Sequence, residues 1–500
     1  MSKIKSLILG SAAGLVAIGG AQAADLPVKA KAVEYVKVCS LYGAGFYYIP
    51  GTDTCIRLGG YLRAEVTFNG TPIDTVYLNG TGGDSSRNAN DFNSRARLML
   101  QIDTRTATEY GVVRTFAAVG PQFSTADSYA SAAGGGGSAL GLGAIKVENA
   151  FVQFAGFTFG RSYSAYATPW NGYPGNIGSG LWGGPTYDSG VNNVQYTWQF
   201  GNGFSASIGA DEQSTSNRAT LFNLSAAGVG ASGSQTFPTT TAVPGFGFYQ
   251  GNSGADIVGN LKLDQAWGLI QVSAAGHDLA GTYYNGSNTS SGHPQDKWGF
   301  AVTGALSLKN LPFGPGDSIN VEGTYTEGAL KYLVGNSGAA PTNIAVVDGN
   351  NFAVAPITDG VYANGTSIQL TKGYGMRGAY NHNWNANWTT SVFGSYSKID
   401  YNGTATTLIC SGNGVNTGML TALGAISCNP DFKLSQVGLQ QIWTPVKGLA
   451  FYAEGMWTHV DPSSSGTTTA TPTIDAQAPR NYTIHSVDQF SGALRVQRNF

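Results

Sequence analysis

The 500-residue chain is poor in charge and rich in glycine. Asp, Glu, Lys and Arg make up 11% of its residues, against roughly 25% in typical soluble proteins, and 71 residues are glycine. A formal net charge of −2 argues against a nucleic-acid partner, because proteins that bind nucleic acid carry an excess of basic residues. Low charge without long apolar runs is unusual for a soluble globular protein.

The N-terminal residues have the three parts of a secretory signal peptide. Lys3 and Lys5 precede an apolar stretch over 7–18, and the small residues at 21–23 provide a cleavage site. The apolar stretch is too short to span a bilayer, which disfavours a membrane anchor. We therefore expect residues 1–23 to be removed on export.

Polar and apolar residues alternate from residue 56 onwards. In IRLGGYLRAEVTFN (56–69), one parity carries Ile56, Leu58, Leu62, Val66 and Phe68, and the other carries Arg57, Tyr61, Arg63, Glu65, Thr67 and Asn69. Alternation at period two predicts a strand with one apolar and one polar face.

The same alternation predicts further strands as far as the C-terminus. Examples cover residues 93–106, 297–308, 318–328, 373–383, 388–400, 432–443, 448–460 and 488–500. Short turns and long Gly/Ser/Thr-rich stretches separate the strands. We predict one domain of about 16 strands, with no helix of useful length after residue 55.

Strand 93–106 bears on the choice between a soluble sandwich and a membrane barrel. Arg95, Arg97 and Arg105 share one parity, and each would cost about 2–4 kcal/mol if it faced lipid at mid-membrane. They must therefore face water or carboxylates, so the other parity faces lipid or a neighbouring subunit. A sandwich could obey the same rule, but it explains the export signal, the low charge and the aromatic strand ends less well.

We therefore predict an all-β fold, a transmembrane antiparallel β-barrel that contacts outer-membrane lipid. A barrel of about 16 to 18 strands leaves an aqueous channel, so the strand number predicts a pore.

The four cysteines form two pairs that are local in sequence. Cys39 with Cys55 and Cys410 with Cys428 is one of three possible pairings, and the oxidising periplasm favours the local one. Neither pair has the close spacing of a zinc site, and we expect no metal or cofactor.

Three stretches closely resemble the alphaproteobacterial general porins. They are CSLYGAGFYYIPGTDTCIRLGGYLRAEV (39–66), DFNSRARLMLQIDTRTATEYGVVRTF (91–116) and FVQFAGFTFGRSYSAY (151–166). The resemblance implies a 16-stranded barrel, usually a homotrimer, through which small hydrophilic solutes diffuse passively. It also implies a third external loop folded into the barrel. On this basis residues 1–23 are the signal peptide, 24–55 a periplasmic segment with a Cys39–Cys55 loop, and 56–500 the barrel.

The resemblance also implies where the pore narrows. General porins carry wall arginines at the positions of Arg97, in the ARL of 96–98, and of Arg161, in the FGR of 159–161. Parity alone adds further arginines, whose alternative role is simply to wet the lumen. The predicted constriction residues are Arg63, Arg95, Arg97, Arg105, Arg161 and Asp188.

The candidate inward loop, residues 162–190, has one carboxylate, Asp188, and no basic residue. One acid opposite several arginines predicts a mildly anion-favouring or nonselective channel. The loop's aromatic residues allow an alternative, a stacking track for sugars, although packing against the wall is favoured. These aromatics are Tyr163, Tyr166, Trp170, Tyr173, Trp182 and Tyr187.

Two other classes explain the sequence less well. An enzyme is disfavoured because the chain has neither a G-x-S-x-G turn nor an H-E-x-x-H helix, and its five histidines are scattered. A secreted β-rich adhesin would remain in soluble fractions, whereas a porin stays with the envelope until detergent is added.

Overall fold

The computed structural model describes most of the chain after residue 36. The described residues are 37–69, 79–81, 92–125, 143–178, 180–187, 189–213, 218–225, 249–251, 254–285, 288–335, 343–411, 419–422, 424–468 and 481–500. The predicted signal peptide and Asp188 lie outside them.

Sixteen antiparallel strands form a closed barrel, as predicted. They are β1 (Thr54–Phe68), β2 (Phe92–Thr108), β3 (Gly111–Ser124), β4 (Gly143–Phe154), β5 (Phe157–Ser162), β6 (Val191–Gly201), β7 (Phe204–Glu212), β8 (Ala255–Gln265), β9 (Gly268–Leu279), β10 (Lys297–Lys309), β11 (Ser318–Glu327), β12 (Lys372–Asn383), β13 (Trp388–Asp400), β14 (Phe432–Val446), β15 (Leu449–Pro462) and β16 (Val487–Asn499). Each strand pairs with the next in the chain. Pairing of β16 with β1, from Tyr61 opposite Asn499 to Phe68 opposite Gly492, closes the barrel.

Short and long connections lie at opposite ends of the barrel. The short turns include residues 109–110, 155–156 and 202–203, and Ala155 and Asn202 take positive φ angles there. In outer-membrane barrels the short turns are periplasmic and the long loops external. The connection between β5 and β6, residues 163–190, is the third long one and is called the third loop below.

The outer face of the wall is apolar. Leu62, Val437 and Leu494 are 55%, 54% and 51% exposed, although each lies in the middle of a strand. Aromatic residues cluster at the periplasmic strand ends, where Trp443 and Phe500 are also exposed. An exposed apolar band with aromatic edges is the surface that a bilayer covers, so the predicted direction of the apolar face is confirmed.

The external loops pack together over the mouth of the barrel. Their short strands are Asn79–Thr81, Leu221–Asn223, Asn343–Asp348, Asn351–Pro356, Gly360–Tyr362, Gln369–Leu370, Ala425–Ser427, Ser465–Thr468 and Tyr482–Ile484. Their helices are α1 (Lys331–Val334), α2 (Gly403–Ser411) and α3 (Met419–Ala422), with a 3₁₀ turn at Thr289–Ser291.

This loop layer differs from the predicted polar loops. Val346, Phe352 and Val354 of the β11–β12 connection are fully or almost fully buried, and Leu420 and Ile484 join the same apolar cluster. The loops bury these side chains against one another and against the barrel rim, so even Gly/Ser/Thr-rich connections gain a small core.

Both disulfides have the local pairing. Cys39 bonds to Cys55, with 6.1 Å between their Cα atoms, and Cys410 bonds to Cys428, with 5.8 Å. The first bond holds the segment before β1. This segment contains a 3₁₀ turn at Ser40–Tyr42 and a two-residue strand, Tyr47–Tyr48, which pairs with the start of β1. Among the described residues, no helix combines the length and the apolar character needed to cross a membrane.

Candidate pore constriction

The third loop folds into the barrel, and a buried arginine holds it there. Arg377, on β12, donates from Nε to Glu322 Oε1 at 2.5 Å. Its Nη1 donates to Leu181 O and to Thr186 Oγ1, both at 2.8 Å, and its Nη2 donates to Pro185 O. One guanidinium thus ties three residues of the loop to the wall.

Other wall residues bind the loop backbone. Gln436 accepts from Trp182 N at 2.9 Å, and Glu454 accepts from Ile177 N at 2.6 Å and from Gly178 N at 2.9 Å. These bonds satisfy loop peptide groups that the barrel interior would otherwise bury unpaired.

Glycine lets the loop approach the wall closely. At Gly183, with φ of 109°, a Cβ atom would lie 2.5 Å from Met376 O. At Gly184 it would lie 2.2 Å from Glu322 Oε1. A side chain at either position would push the loop off the wall.

Between the loop and the opposite wall lies a cavity of about 410 Å³, called the arginine cavity below. Its charged lining residues are Arg63, Arg95, Arg97, Arg495 and Glu148. Tyr163, Trp170 and Tyr173 of the third loop border it from the other side. Strands β1, β2 and β16 are adjacent because β16 closes the barrel onto β1, and this pairing brings the arginines together.

Most of these arginines have carboxylate partners. Arg97 Nη1 lies 2.7 Å from Glu148 Oε1, and Arg495 Nε lies 2.5 Å from Glu65 Oε2. Arg95 also pairs with Glu65, through Nη2. Glu454, which accepts from Ile177 N on the cavity lining, is a third carboxylate at this level. Among the described residues, the four arginines still outnumber Glu65, Glu148 and Glu454, which leaves an excess of positive charge.

A β-bulge directs Glu148 into the lumen. The pairing of β3 with β4 shifts between Ala118 and Val119, which face Asn149 and Val147. Glu148 is the extra residue, and both it and Asn149 face inward, so the bulge breaks the strand's alternation. Glu148 then also accepts a hydrogen bond from the Tyr61 hydroxyl at 3.2 Å.

Sequence reasoning missed three charged residues of this site. Glu65 lies on the same parity as Arg63, and this parity alone would have placed it in the lumen. Arg495 alternates with apolar residues in the last strand in the same way. Glu148 had no such signal, because a bulge shifts parity without marking the sequence.

Arg105 faces the lumen as predicted but does not reach the arginine cavity. It lies near the periplasmic end of β2, where its Nη2 is 3.1 Å from Asp103 Oδ2. Its guanidinium also lies over the rings of Phe46 and Tyr42, at 5.0 and 5.6 Å. Parity gives the face of a strand and says nothing of height along the pore, so a role of Arg105 in the constriction stays a prediction.

Arg161 lies on the outer side of the barrel, so its predicted place in the constriction was wrong. It pairs in register with Ala150 and Asn192, on the same face as the exposed Phe159. Its Nε donates to Val147 O at 2.9 Å. Alternation along β5 places Phe159 and Arg161 on the same outer face. The prediction followed the FGR motif and did not use this alternation.

The loop aromatics divide into two groups. Tyr166, Trp182 and Tyr187 are 0%, 1% and 5% exposed and pack the loop against the wall, the arrangement that was favoured. Tyr163, Trp170 and Tyr173 are less buried and border the arginine cavity, with Tyr163 38% exposed. The buried Tyr187 also reaches the lining of this cavity. Within the described residues, no group of three or more His, Cys, Asp or Glu side chains is arranged to hold a metal ion.

Comparison with known proteins places this architecture in a family. Residues 25–489 match the porin subfamily. The chain belongs to this family. The porin is 37% identical to porin Omp2b of Brucella suis over 270 residues, which are 53% of this chain and 64% of that one. It is 36% identical to porin Omp2b of Brucella melitensis, again over 53% of this chain and 64% of that one.

The porin thus spans less than two thirds of the length of the curated relatives it matches. Among solved structures, it is similar to the outer membrane channel DcaP of Acinetobacter baumannii, with a TM-score of 0.57 and 14% identity over 91% of this chain and 99% of that one. That likeness shows the barrel fold. Family and fold together place the porin in the outer membrane.

Proposed function

We propose that the porin forms a water-filled channel for passive diffusion of small hydrophilic solutes and ions. One observation carries this proposal. The apolar side chains of the wall face outward, the reverse of a soluble protein, and a charged cavity lies inside the barrel beside the third loop. Membership of the porin family suggests a channel rather than an enzyme.

In this proposal the arginine cavity is the constriction. Arg63, Arg95 and Arg97 supply charge from the wall, and the third loop reduces the open cross-section. Among the described residues, the four arginines outnumber the carboxylates Glu65, Glu148 and Glu454, which favours anions electrostatically. Asp188 lies outside the described residues, and its contribution stays a prediction.

Liposome swelling tests the channel. Vesicles containing the purified porin should swell in isotonic neutral sugars, at rates that fall steeply as the sugar becomes larger. Vesicles containing heat-denatured porin are the control. Swelling no faster than this control would contradict the proposal.

We further propose that residues 24–55 lie on the periplasmic side and that residues 1–23 are removed on export. Support comes from the described part of this segment, which contacts the periplasmic end of the wall. Tyr47 and Tyr48 pair with Ile56 and Cys55 at the start of β1, and Arg105 lies over Phe46. Mass spectrometry of the envelope protein should give a mature chain that starts at Ala24.

For the assembly we propose a homotrimer. The outer face of β1, β2 and β15 has a depression of about 690 Å³. Small residues, Ala64, Ala96 and Ala453, form part of its lining beside Phe123 and Phe451. Small side chains let a second protein wall approach closely, which favours a subunit contact over loose lipid packing.

A further inference from the structure

The arginine cavity has two chemically different sides. Wall arginines line one side, and Tyr163, Trp170 and Tyr173 of the third loop line the other. A chloride ion or a small neutral solute uses only one of these surfaces. A solute with an anionic group and a flat ring uses both.

Arg63 differs from the other arginines of the cavity in its partners. Its Nε donates to Gln497 Oε1 at 2.8 Å, and its guanidinium lies 4.6 Å from the centre of the Tyr61 ring. No ion pair joins Arg63 to a carboxylate in the part of the chain that the structure describes, whereas Arg97 and Arg495 each have one. A solute carboxylate can therefore pair with Arg63 without breaking an internal ion pair.

The glutamine and the tyrosine ring fix the position of this guanidinium. A guanidinium held by one hydrogen bond and by stacking keeps other N–H donors for a planar, two-oxygen acceptor. Arginine matches carboxylate geometry better than lysine does, because its donors form a rigid planar fork.

The aromatic side provides an apolar contact at the same level. Tyr163 is 38% exposed, and Trp170 and Tyr173 are half-buried, so part of each side chain is exposed beside the cavity. Flat rings bind to aromatic side chains by stacking or edge contacts, which stabilise them beyond simple burial. The cavity volume of about 410 Å³ lies in the range of small-molecule sites.

We infer that the arginine cavity is a binding subsite for small planar organic monoanions. The carboxylate pairs with Arg63, and the ring lies against Tyr163, Trp170 and Tyr173. This inference rests on the proposed channel function and names a solute class within it. Such solutes enter the constriction more often than simple anions of the same charge and slow the ion current while they remain bound.

Block of the ion current in planar bilayers tests the subsite. Benzoate is the probe, acetate carries the same charge without a ring, and benzyl alcohol carries the ring without the charge. Benzoate should halve the KCl current at a concentration about tenfold lower than either comparator, because it alone uses both sides of the cavity.

Variants assign the block to named side chains. Arg63→Gln should raise the half-blocking benzoate concentration about tenfold, since it removes the ion pair. Arg63→Lys keeps the charge without the planar fork, so its half-blocking benzoate concentration should lie between those of the unmodified porin and R63Q. Tyr173→Leu should weaken benzoate block and leave the effect of acetate unchanged. Arg161→Gln, on the outer wall, should change neither.

Several outcomes would overturn the inference. Equal effects of benzoate and acetate would remove the role of the ring. Benzoate block that survives both R63Q and Y173L would place the site elsewhere, and stronger block by neutral glucose would favour a sugar track instead. Ion currents without any benzoate block would contradict the subsite alone, whereas an absence of ion current would contradict the channel as well.

Discussion

Arg63 and Glu148 act in opposite directions on the charge of the arginine cavity. Arg63→Gln removes a cation that has no ion pair with a carboxylate among the described residues, so the permeability ratio of anions to cations should fall by about twofold. Glu148→Gln removes the partner of Arg97, and the same ratio should rise by a similar factor. Reversal potentials of single variants in a salt gradient measure both changes.

Arg161→Gln is the matched control for these two variants. It removes the same charge from the outer side of the wall, where Arg161 lies in register with Ala150 and Asn192. Its reversal potential should equal that of the unmodified porin. A shift as large as that of R63Q would mean that Arg161 contributes to the lumen and that its assignment to the outer face is wrong.

These residues also show how far parity carries a prediction. It placed Arg63, Arg95 and Arg97 in the lumen, because a strand between lipid and water must separate its two faces. It did not give their height along the pore, so it could not separate Arg105, near the periplasmic end of β2, from the arginines of the cavity. For Arg161 the prediction rested on a motif resemblance alone, whereas the register of β5 places this residue on the outer face. Glu148 depends on a bulge, which only the pairing of β3 with β4 reveals.

At the scale of elements, the buried Arg377–Glu322 ion pair is one of the wall contacts that hold the third loop. Arg377→Met leaves Glu322 buried without its partner, which costs about 3–5 kcal/mol when a buried pair is broken. It also removes the donors to Leu181 and Thr186. When samples are heated before gel electrophoresis, the folded band should disappear at a lower temperature than for the unmodified porin. Single-channel currents should also be noisier.

The double variant Arg377→Met, Glu322→Gln separates these two effects. It removes the unpaired charge, so the melting temperature should recover in part. The loop donors are still missing, so the current noise should persist. Quiet currents in both variants would show that this pair does not hold the loop.

The Cys410–Cys428 bond acts on the external loop layer. It holds α2 near Ala425–Ser427, and disulfides typically stabilise the structure that they close by about 2–4 kcal/mol. The double variant Cys410→Ser, Cys428→Ser should be cleaved faster by protease added outside intact cells. Its barrel should melt as before, because the barrel hydrogen bonds do not involve the loop. Unchanged cleavage would contradict a stabilising role for this bond.

The elements differ in how well the sequence predicts them. The strands β13 (388–400) and β10 (297–309) follow the sequence pattern to within a residue, because a two-faced environment imposes period two. The loop layer has no comparable rule. Its residues Val346 and Phe352 are buried because other loops and the barrel rim pack on them, and those contacts join distant parts of the chain.

For the whole molecule, the proposed trimer depends on the small residues of the outer wall. Ala96→Trp places a bulky ring in the depression on β1, β2 and β15 and should prevent close packing of a second copy. The unheated protein should then migrate as a monomer in gels. Val302→Trp, on the outer face of β10, should leave the oligomer intact. A trimer that tolerates A96W would contradict this contact surface.

The central claim is that the barrel encloses a hydrated path lined by excess positive charge. Adding purified porin to a planar bilayer in a salt gradient measures both parts of the claim at once. We predict that the current rises in discrete steps as channels insert. The sign of the reversal potential should show that anions permeate faster than cations. A bilayer that stays electrically silent would contradict the hydrated path, and a reversal potential of cation sign would contradict the charge assigned to it.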